Sequence, residues 1–405
     1  MNREGCARTL GCPLNPLQER NITSFQRRNL FKATAAAGLA VAAASLPGIA
    51  TAHNERDDDE DHGSSRAGKV FTSSNGVAGN EVLVFDDTAA GLRLRQRIAT
   101  QGTGTGGGLG SQGAVTLSGD GRFLFVVNAG SHSVSTFRVG ARALRLMSVV
   151  PSGGLAPTSV TEMGGLVFVL NTMGAGGVTG FANLRGRLLP IANSARGLSA
   201  SGGTAPAQVG FTDDGDTLVV AERATNLLTT YRVMDDGSLS APQPNASAGM
   251  TPFGFAFDKR GTLLVSEAFG GAANASALSS YRFADATPQT PGVISASVGT
   301  QQSAACWVAI TPNGRFAYVT NTGSGTTSLF HIARDGRVAL GQSVAAGAAG
   351  TGPIDAYVSE NGRRLFVLNG RVQSIASYRI ASDGTLTAAG GVSGLPVGSV
   401  GLAAN

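Results

Sequence analysis

The chain has 405 residues and a formal net charge of +5, from 31 Lys and Arg against 26 Asp and Glu. Most of the basic excess lies in residues 1–52, so the remainder is nearly neutral and gives no indication of nucleic-acid binding. Two of the three cysteines also lie there, which leaves Cys306 without an internal disulfide partner. No His or Cys spacing matches a zinc site. We expect no metal or other cofactor, and we interpret Cys306 as a buried small hydrophobe, with a reactive thiol as the alternative.

Residues 1–52 are predicted to be a twin-arginine export signal. Arg27 and Arg28 precede the Ala-rich run Ala33–Pro47, and Ala50–Ala52 supplies the small residues of a cleavage site. A charged head, a short apolar run and a small-residue exit are typical of a cleaved signal rather than a membrane span. The arginine pair indicates the route that carries folded proteins. The alternative is a chance pair before a hydrophobic helix. The signal predicts a periplasmic or extracellular protein without stable membrane insertion.

Residues 53–67 are predicted to form a disordered acidic linker. The run Glu55–Asp61 is almost wholly acidic, and His53 and His62 lie near its edges. A dense block of like charges resists ordering, which favours a solvated spacer. Weak cation binding by these acids and histidines is the alternative.

From residue 68 onward, one strand phrase recurs seven times. Each copy is a short run of mostly apolar residues that ends in Asn or Glu, and successive copies lie roughly 50 residues apart. The copies are Lys69–Asn75, Arg122–Asn128, Leu166–Asn171, Thr217–Glu222, Thr262–Glu267, Phe316–Asn321 and Arg364–Asn369. A period of this length, with several strands in each unit, is typical of a β-propeller.

Most units offer four strand-like runs joined by turns. Asp-Gly and Asn-Gly pairs, such as Asn313–Gly314, recur between the first and second runs and suit tight hairpins. The final run, Val400–Ala404, has no second strand after it, whereas the first unit has no first strand before it. We predict that this run becomes the innermost strand of blade one and closes an all-β, seven-bladed β-propeller over residues 68–405. Six or eight blades are the alternatives, because the third unit has weak turn signals.

The last residues of the seven phrases are predicted to surround one mouth of the central channel. Second strands all run in the same direction, so their ends lie together at one rim of the channel. Ligand sites of closed β architectures are usually found at such a mouth. The predicted ligand-binding residues in this ring are Asn128, Asn171, Asn321 and Asn369. The alternative is that each Asn only bonds loop backbone and shapes its turn.

Two neighbouring units carry Glu instead of Asn at this position. We predict a catalytic role for Glu222 and Glu267, together with Arg223 directly after the first, because carboxylates can act as general bases and a guanidinium can clamp an anion. A structural ion pair between Arg223 and one acid is the alternative. His132, in the loop above blade two, is the predicted imidazole for proton transfer, or else an ordinary surface histidine.

Two residues of the first strands complete the predicted site. Asp355 precedes the centre of the last full unit's first strand and is expected to face the mouth. Trp307 occupies the matching position one unit earlier, where it could form an apolar wall of the site or simply pack between blades.

The run Phe316–Asn321 contains a Tyr-Val-Thr-Asn phrase, and a Tyr-Arg strand followed by Asp-Gly-x-Leu occurs within 229–239 and again within 376–386. By these motifs, residues 69–404 resemble the seven-bladed lactonase-like propellers, which include bacterial 6-phosphogluconolactonases and fungal carboxymuconate cyclases. The resemblance implies a lactone site at the upper mouth that uses His, Arg and Glu. The chain departs from the phosphosugar enzymes in its export signal and in having Arg223 as the one obvious cation at this mouth.

The sequence is compatible with three functions. The first is an exported lactonase that hydrolyses or cyclises a lactone or carboxylate small molecule. The second is a noncatalytic exported propeller that binds a protein or a cell-surface ligand, and its mark is a mouth filled by side chains. The third, a redox-cofactor enzyme, has little support because no ligand constellation is visible. The sequence leaves the oligomeric state open, and a monomer is the expectation.

Overall fold

The structure is a computed structural model that describes residues 68–283 and 290–405. Apart from a single 3-10 turn at Phe269–Gly271, the regular elements of these residues are β-strands. No helix within these two ranges is long and apolar enough to cross a membrane. The predicted export signal and acidic linker, residues 1–67, lie outside the described residues.

The strands form seven four-stranded antiparallel sheets, each of which is one blade. From the axis outward, blade one comprises β28 (Val400–Ala404), β1 (Lys69–Ser73), β2 (Glu81–Thr88) and β3 (Gly91–Ala99). Blade two comprises β4 (Val115–Leu117), β5 (Phe123–Asn128), β6 (Ser133–Val139) and β7 (Leu144–Pro151). Blade three comprises β8 (Leu155–Met163), β9 (Leu166–Met173), β10 (Gly177–Leu184) and β11 (Arg187–Pro190).

The remaining four blades repeat this order. Blade four comprises β12 (Pro206–Phe211), β13 (Thr217–Glu222), β14 (Leu227–Arg232) and β15 (Gln243–Ala246). Blade five comprises β16 (Pro252–Phe257), β17 (Thr262–Glu267), β18 (Ala277–Phe283) and β19 (Pro291–Gly299). Blade six comprises β20 (Ala305–Ile310), β21 (Phe316–Asn321), β22 (Thr326–Ile332) and β23 (Val338–Gly347). Blade seven comprises β24 (Pro353–Val358), β25 (Arg364–Asn369), β26 (Ser374–Ile380) and β27 (Leu386–Ser393).

The innermost strands form a closed ring around the axis. β28 contacts β4, and contacts then run from β4 through β8, β12, β16, β20 and β24 back to β28. Each recurring phrase of the sequence forms the second strand of a blade. The predicted seven-bladed, all-β architecture is therefore confirmed.

Blade one joins the two ends of the described chain. β28 pairs antiparallel with β1, with Phe71 opposite Ala403, and the Lys69 amide donates a 2.8 Å hydrogen bond to Asn405 Oδ1. Arg364 of blade seven ties this blade to its neighbour through an ion pair of 3.2 Å with Asp87. The predicted closure by the late strand is confirmed, and it removes the open edge that β1 would otherwise present.

The core consists of layers between adjacent blades. Alternate residues of the second strands are fully buried there, among them Phe71, Phe125 and Phe168. Buried tyrosines also bridge this core and backbone: the Tyr231 hydroxyl donates to the Gly197 carbonyl at 2.8 Å, and Tyr318 donates to the Gly384 carbonyl at 2.7 Å. A buried phenol needs such a partner to offset the loss of water.

The two ends of the propeller carry different loops, a turn end and a mouth end. The turn end holds the hairpins between first and second strands and between third and fourth strands. The mouth end holds the loops between second and third strands and the linkers between blades. Its segments are 75–80, 100–114, 129–132, 152–154, 174–176, 191–205, 223–226, 247–251, 268–276, 300–304, 322–325, 348–352, 370–373 and 394–399.

Candidate functional site

The strand-end residues of the recurring phrases occupy one structural position at the mouth end, and most bond a hydroxyl of the neighbouring third strand. Asn128 Nδ2 donates to Ser135 Oγ at 2.8 Å, and Asn321 Nδ2 donates to Ser328 Oγ at 2.9 Å. Asn128 and Asn321 are both fully buried. These contacts match the alternative in which the Asn shapes its own blade.

Asn171 and Asn369 follow the same pattern with other partners. Asn171 Oδ1 accepts a 2.7 Å hydrogen bond from Ser152 in the linker before β8, and Asn369 Nδ2 lies 3.4 Å from Ser374 Oγ. All four predicted binding asparagines are thus buried within blades. Their assignment as ligand-binding residues stays a prediction.

Glu222 ends β13 and is fully enclosed. Its Oε1 accepts hydrogen bonds from the Ser199 amide at 3.0 Å and the Thr229 hydroxyl at 2.6 Å. Its Oε2 accepts from the hydroxyls of Ser199 and, at 2.9 Å, Thr225. The Thr229 contact has the same sequence spacing as the Asn128–Ser135 contact, so Glu222 takes the place of an Asn and also fastens the linker before blade four.

Glu267 has the equivalent position in blade five and is likewise fully enclosed. Its carboxylate accepts hydrogen bonds from the Gly249 amide at 2.8 Å, Ser279 Oγ at 2.5 Å and Ser297 Oγ at 2.7 Å. Burial raises the pKa of Glu267 above its usual range, and these hydrogen bonds oppose the rise without cancelling it.

His132 lies in the loop after β5, in a left-handed backbone conformation with φ of 54°. Its Nδ1 lies 3.0 Å from the Ala156 amide nitrogen at the start of blade three and 3.1 Å from the Ala129 carbonyl oxygen. Nδ1 accepts from the first in one tautomer and donates to the second in the other. No hydrogen bond or ion pair among the described residues joins His132 to Glu222, Arg223 or Glu267.

Asp355 lies on β24 and is wholly buried in the seam between blades seven and one. Its carboxylate accepts hydrogen bonds from the backbone amides of Ala356, at 2.8 Å, and of Leu402. Burial raises the pKa of Asp355 well above its ordinary value, despite these two bonds. The structure therefore places Asp355 between inner strands rather than on the surface of the mouth.

Arg223 differs from these acids because its side chain turns toward the mouth. Its Nε donates to the Ala205 carbonyl at 3.0 Å, and its guanidinium carbon lies 4.7 Å from the centroid of the Phe253 ring. Neither Nη atom bonds a residue within the described ranges, and no ion pair there involves Arg223. The alternative of a structural ion pair with Glu222 or Glu267 is thus not found among the described residues. Burial lowers the pKa of this guanidinium, which stays protonated at neutral pH.

Trp307 packs beside Arg223's aromatic partner. Its ring centroid lies 5.3 Å from that of Phe253, and its Nε1 donates to the Ser111 carbonyl at 3.0 Å. Cys306 belongs to the same apolar cluster. Burial raises the pKa of its thiol to about 12, so the thiol is protonated at neutral pH.

The linker between blades one and two crosses the channel at this end. The Gln112 amide donates to the Ala207 carbonyl of blade four at 3.1 Å, and Gln112 Nε2 donates to the Val308 carbonyl of blade six at 3.1 Å. The strand that follows, β4, begins only at Val115, since the preceding residues leave the sheet to make this crossing. The Gly-rich run 102–110 gives this linker the required freedom, and Asn75 holds it by donating to the Gly107 carbonyl at 2.7 Å.

The charge distribution of the mouth end is one-sided. Its loops and linkers, all described, contain no Asp, Glu or Lys. The charged residues in them are three arginines, Arg196, Arg223 and Arg371. Exposed apolar side chains lie in the same segments, among them Val77 at 66% exposure and Val397 at 74%. Within the described ranges, no cluster of His, Cys, Asp or Glu could hold a metal ion.

The structure therefore brings Arg223, Phe253 and Trp307 together and places Glu222, Glu267, His132 and Asp355 in separate hydrogen-bonded settings. Phe253 and Gln112 were not among the residues predicted from the sequence. Phe253 follows Pro252 at the start of a first strand and has no recurring counterpart, so only its position beside Arg223 identifies it. The Gly-rich run before Gln112 was a usable signal of an unusual linker.

Comparison with known proteins gives a family for this chain. The model of the "Lactonase, 7-bladed beta-propeller" family matches residues 78–181, 160–269 and 273–398. The periplasmic gluconolactonase of Pseudomonas aeruginosa is a similar solved structure, with 18% identity, a TM-score of 0.63 and coverage of 84% of this chain and 98% of that one. A Bacteroides uniformis protein, named as a candidate 6-phosphogluconolactonase, has 17% identity, a TM-score of 0.65 and coverage of 83% and 99%. No curated protein matches. The chain belongs to the lactonase family of seven-bladed β-propellers.

Proposed function

We propose that the protein is an exported lactonase that opens a cyclic ester at the mouth beside Arg223. The observation that carries this proposal is the Arg223 guanidinium, which stacks on Phe253 and leaves both Nη atoms without a partner among the described residues. Two free, parallel N–H groups on a fixed plane suit a carboxylate or a developing oxyanion. Family membership supports lactone chemistry for such a site.

The proposed reaction begins when water gives a proton to a general base and its oxygen adds to the lactone carbonyl carbon. The carbonyl electron pair moves to the oxygen, and Arg223 stabilises the resulting oxyanion. Collapse of this intermediate breaks the ring C–O bond, the base returns its proton to the leaving alkoxide, and the hydroxy acid that forms ionises to the hydroxycarboxylate. Glu222, Glu267 and His132 stay the predicted groups for proton transfer. To act as a base, each carboxylate must give up a hydrogen bond from a Ser or Thr hydroxyl and accept one from the reacting water instead.

The test is turnover of purified protein on a panel of lactones. We expect Arg223→Gln to lower kcat/KM about 100-fold, because it removes the charge that faces the oxyanion. Arg315→Gln is a matched control, since Arg315 also lies over a phenyl ring, 5.1 Å from the Phe316 centroid, at the turn end. Glu222→Gln and Glu267→Gln then identify the base. Failure to hydrolyse any lactone, or equal turnover in Arg223→Gln and wild type, contradicts the proposal.

A second candidate function is ligand binding without catalysis. It is favoured by the Gln112 crossing, which fills part of the channel, and by the hydrogen-bonded enclosure of both glutamates. These features match a mouth occupied by side chains. A ligand that binds with Arg223-dependent affinity while every lactone stays intact supports this candidate over the first.

Export by the twin-arginine route is part of the proposal and rests on Arg27, Arg28 and the apolar run after them. The similar protein of Pseudomonas aeruginosa is named as periplasmic, which agrees with this location. Replacing both arginines by lysine is expected to retain the unprocessed chain in the cytoplasm of a bacterial host. Unchanged export of that variant in cell fractions contradicts the twin-arginine route.

A further inference from the structure

We propose that the mouth binds an amphiphilic carboxylate, a molecule with a single anionic group on an aromatic or aliphatic body, in preference to a sugar acid or a phosphosugar. The inference rests on the proposed function for the location of the site, and it adds the chemical class of the ligand. Three properties of the mouth carry it: the unpaired Nη atoms of Arg223 within the described residues, the apolar cluster beneath that guanidinium, and mouth-end segments without Asp, Glu or Lys.

The first property concerns the number of charges. Arg223 presents two Nη atoms without a partner in the described residues, whereas Arg196 donates through Nε to the Ser240 carbonyl and through Nη1 to two further carbonyls. Arg371 also lies exposed, in the loop after β25, but Arg223 is the mouth-end arginine that stacks on an aromatic ring. The one guanidinium on this aromatic cluster matches one carboxylate, while a phosphate group calls for several cations or backbone donors.

The second property concerns what surrounds that cation. Phe253 and Trp307 face one another at 5.3 Å, and they form an apolar cluster with Ala207, Cys306 and the neighbouring Ile354. A polyhydroxylated ligand needs a polar partner for each hydroxyl that it buries. The Asn and Glu side chains at the strand ends are already bonded inside the blades, apart from Asn321 Oδ1, which is buried without a partner. Phe253 and Trp307 are only 7% and 4% exposed, so this cluster mainly supports the Arg223 guanidinium and offers a ligand a small apolar surface. An aromatic or aliphatic body meets that surface without leaving hydroxyls of its own unpaired.

The third property concerns approach to the site. Mouth-end segments carry Arg but no Asp, Glu or Lys, so an incoming anion meets attraction without local repulsion. Exposed apolar residues lie in the same segments, including Met250 at 56% exposure just before β16. The approach to Arg223 therefore favours molecules that are both anionic and apolar.

Trp307 makes the proposal measurable, because it is the single Trp of the chain and lies beside Phe253. The probe is 4-phenylbutyrate, titrated into the purified protein with Trp fluorescence and, independently, with calorimetry. Gluconate tests the polar body, 6-phosphogluconate tests the second charge, and 4-phenylbutyramide tests the carboxylate. We expect 4-phenylbutyrate to bind at least about tenfold more tightly than each of the three.

Variants then test the residues. Arg223→Gln is expected to weaken 4-phenylbutyrate binding about tenfold or more, and Arg315→Gln to leave it unchanged. Phe253→Leu keeps an apolar volume but loses the ring, so it is expected to weaken 4-phenylbutyrate while leaving the weak binding of gluconate as it was. If Arg223→Gln is unstable, Arg223→Lys replaces it in the same titration. That variant keeps the charge but not the planar pair of N–H groups, so it is also expected to weaken 4-phenylbutyrate binding.

Three results overturn the inference: no binding of 4-phenylbutyrate by either method, tighter binding of gluconate or 6-phosphogluconate, or equal binding of the amide. They are distinguishable from failure of the proposed function. A protein that binds 4-phenylbutyrate through Arg223 but opens no lactone contradicts only the catalytic proposal. A protein that opens sugar lactones without preference for apolar carboxylates contradicts only this inference.

Discussion

The two ends of this propeller are built on the same strand ladders but treat charge in opposite ways. At the turn end, acids serve their own hairpins: Asp214 accepts a 2.6 Å hydrogen bond from Thr212, and Asp120 accepts one of the same length from Ser118. At the mouth end, the acids Glu222 and Glu267 are enclosed, and the loops around them have none. Carboxylates of the turn end therefore bond within their own hairpins, whereas the mouth-end loops carry arginine as their only charged residue type.

The carboxyl groups record this difference in their pKa values. A backbone amide and the hydroxyl of Thr385 lower the pKa of Asp383 at the turn end. Burial by itself would raise the pKa of Asp120, but the hydrogen bonds from Ser118 and Arg122 outweigh burial and lower it. Near the mouth end, burial prevails instead and raises the pKa of Glu267 and Asp355. Asp87, also toward the turn end, shows that enclosure decides the direction, because burial raises its pKa despite the opposing charge of Arg364. Carboxyl groups bonded within exposed turns and carboxyl groups enclosed in the blades should therefore respond to pH in opposite directions.

The largest expected effect comes from adding one methyl group where the linker crosses the channel. A Cβ on Gly254 would lie 2.5 Å from the Cys306 carbonyl oxygen and 2.4 Å from Gln112 Oε1. Because the first contact is with backbone, we expect Gly254→Ala to lower the free energy of unfolding by about 3 kcal/mol. Urea unfolding measures this. Gly299→Ala is the control, since a Cβ there meets nothing within 4 Å. Equal stability of the two variants would show that the channel is not filled as described.

The next effect concerns Asp355 and pH. Its pKa is higher in the folded than in the unfolded state, so the folded protein holds that proton more tightly. The associated stability is present below the unfolded pKa and is lost as pH rises toward the folded value, at up to about 1.4 kcal/mol per pH unit. We expect Asp355→Asn to lose less stability than wild type between pH 5 and pH 8, measured by urea unfolding. Parallel curves for the two proteins would contradict the seam that we describe.

The smallest effect is expected in a turn. Asp120→Ala removes an acceptor of the Ser118 hydroxyl and the Arg122 amide, and should cost about 1 kcal/mol. Asp120→Asn keeps the acceptor, as Asn313 does in blade six, and should cost less. Because the pKa of Asp120 is lowered on folding, its contribution is present above the unfolded pKa and fades as pH falls. Thermal unfolding of Asp120→Ala and wild type at pH 3 and pH 7 checks this. A larger loss of stability in Asp120→Ala at pH 3 than at pH 7 would contradict the prediction.

The fold was predictable because its determinants are local and repeated. Asn-Gly and Asp-Gly turns specify hairpins. The run at 69–75 lacked a preceding first strand and the run at 400–404 lacked a following second strand, so each was the expected partner of the other. The end of the molecule at which the strand-end residues lie was predictable for the same reason. The partners of Glu222 were also within reach, because Thr229 stands at the same distance from it as Ser135 does from Asn128.

The surroundings of Arg223 were not predictable in this way. Trp307 reaches Ser111 across 196 positions of sequence, and no local pattern encodes that contact. Phe253 faces Arg223 only because blades four and five adjoin at the axis. Side-chain direction at a strand end also depends on the linker that packs over it, as Gly249 does over Glu267. Such tertiary contacts decide whether a polar group serves a ligand or its own blade.

The bond between Lys69 and Asn405 joins residues 336 positions apart. Until the late strand is made, β1 presents unpaired amides and carbonyls to any neighbouring chain. Pairing of this kind has a high contact order, so ring closure is expected to be a slow step of folding. Chains that have not yet closed the ring are therefore expected to be the ones most prone to self-association, through the unpaired edge of β1.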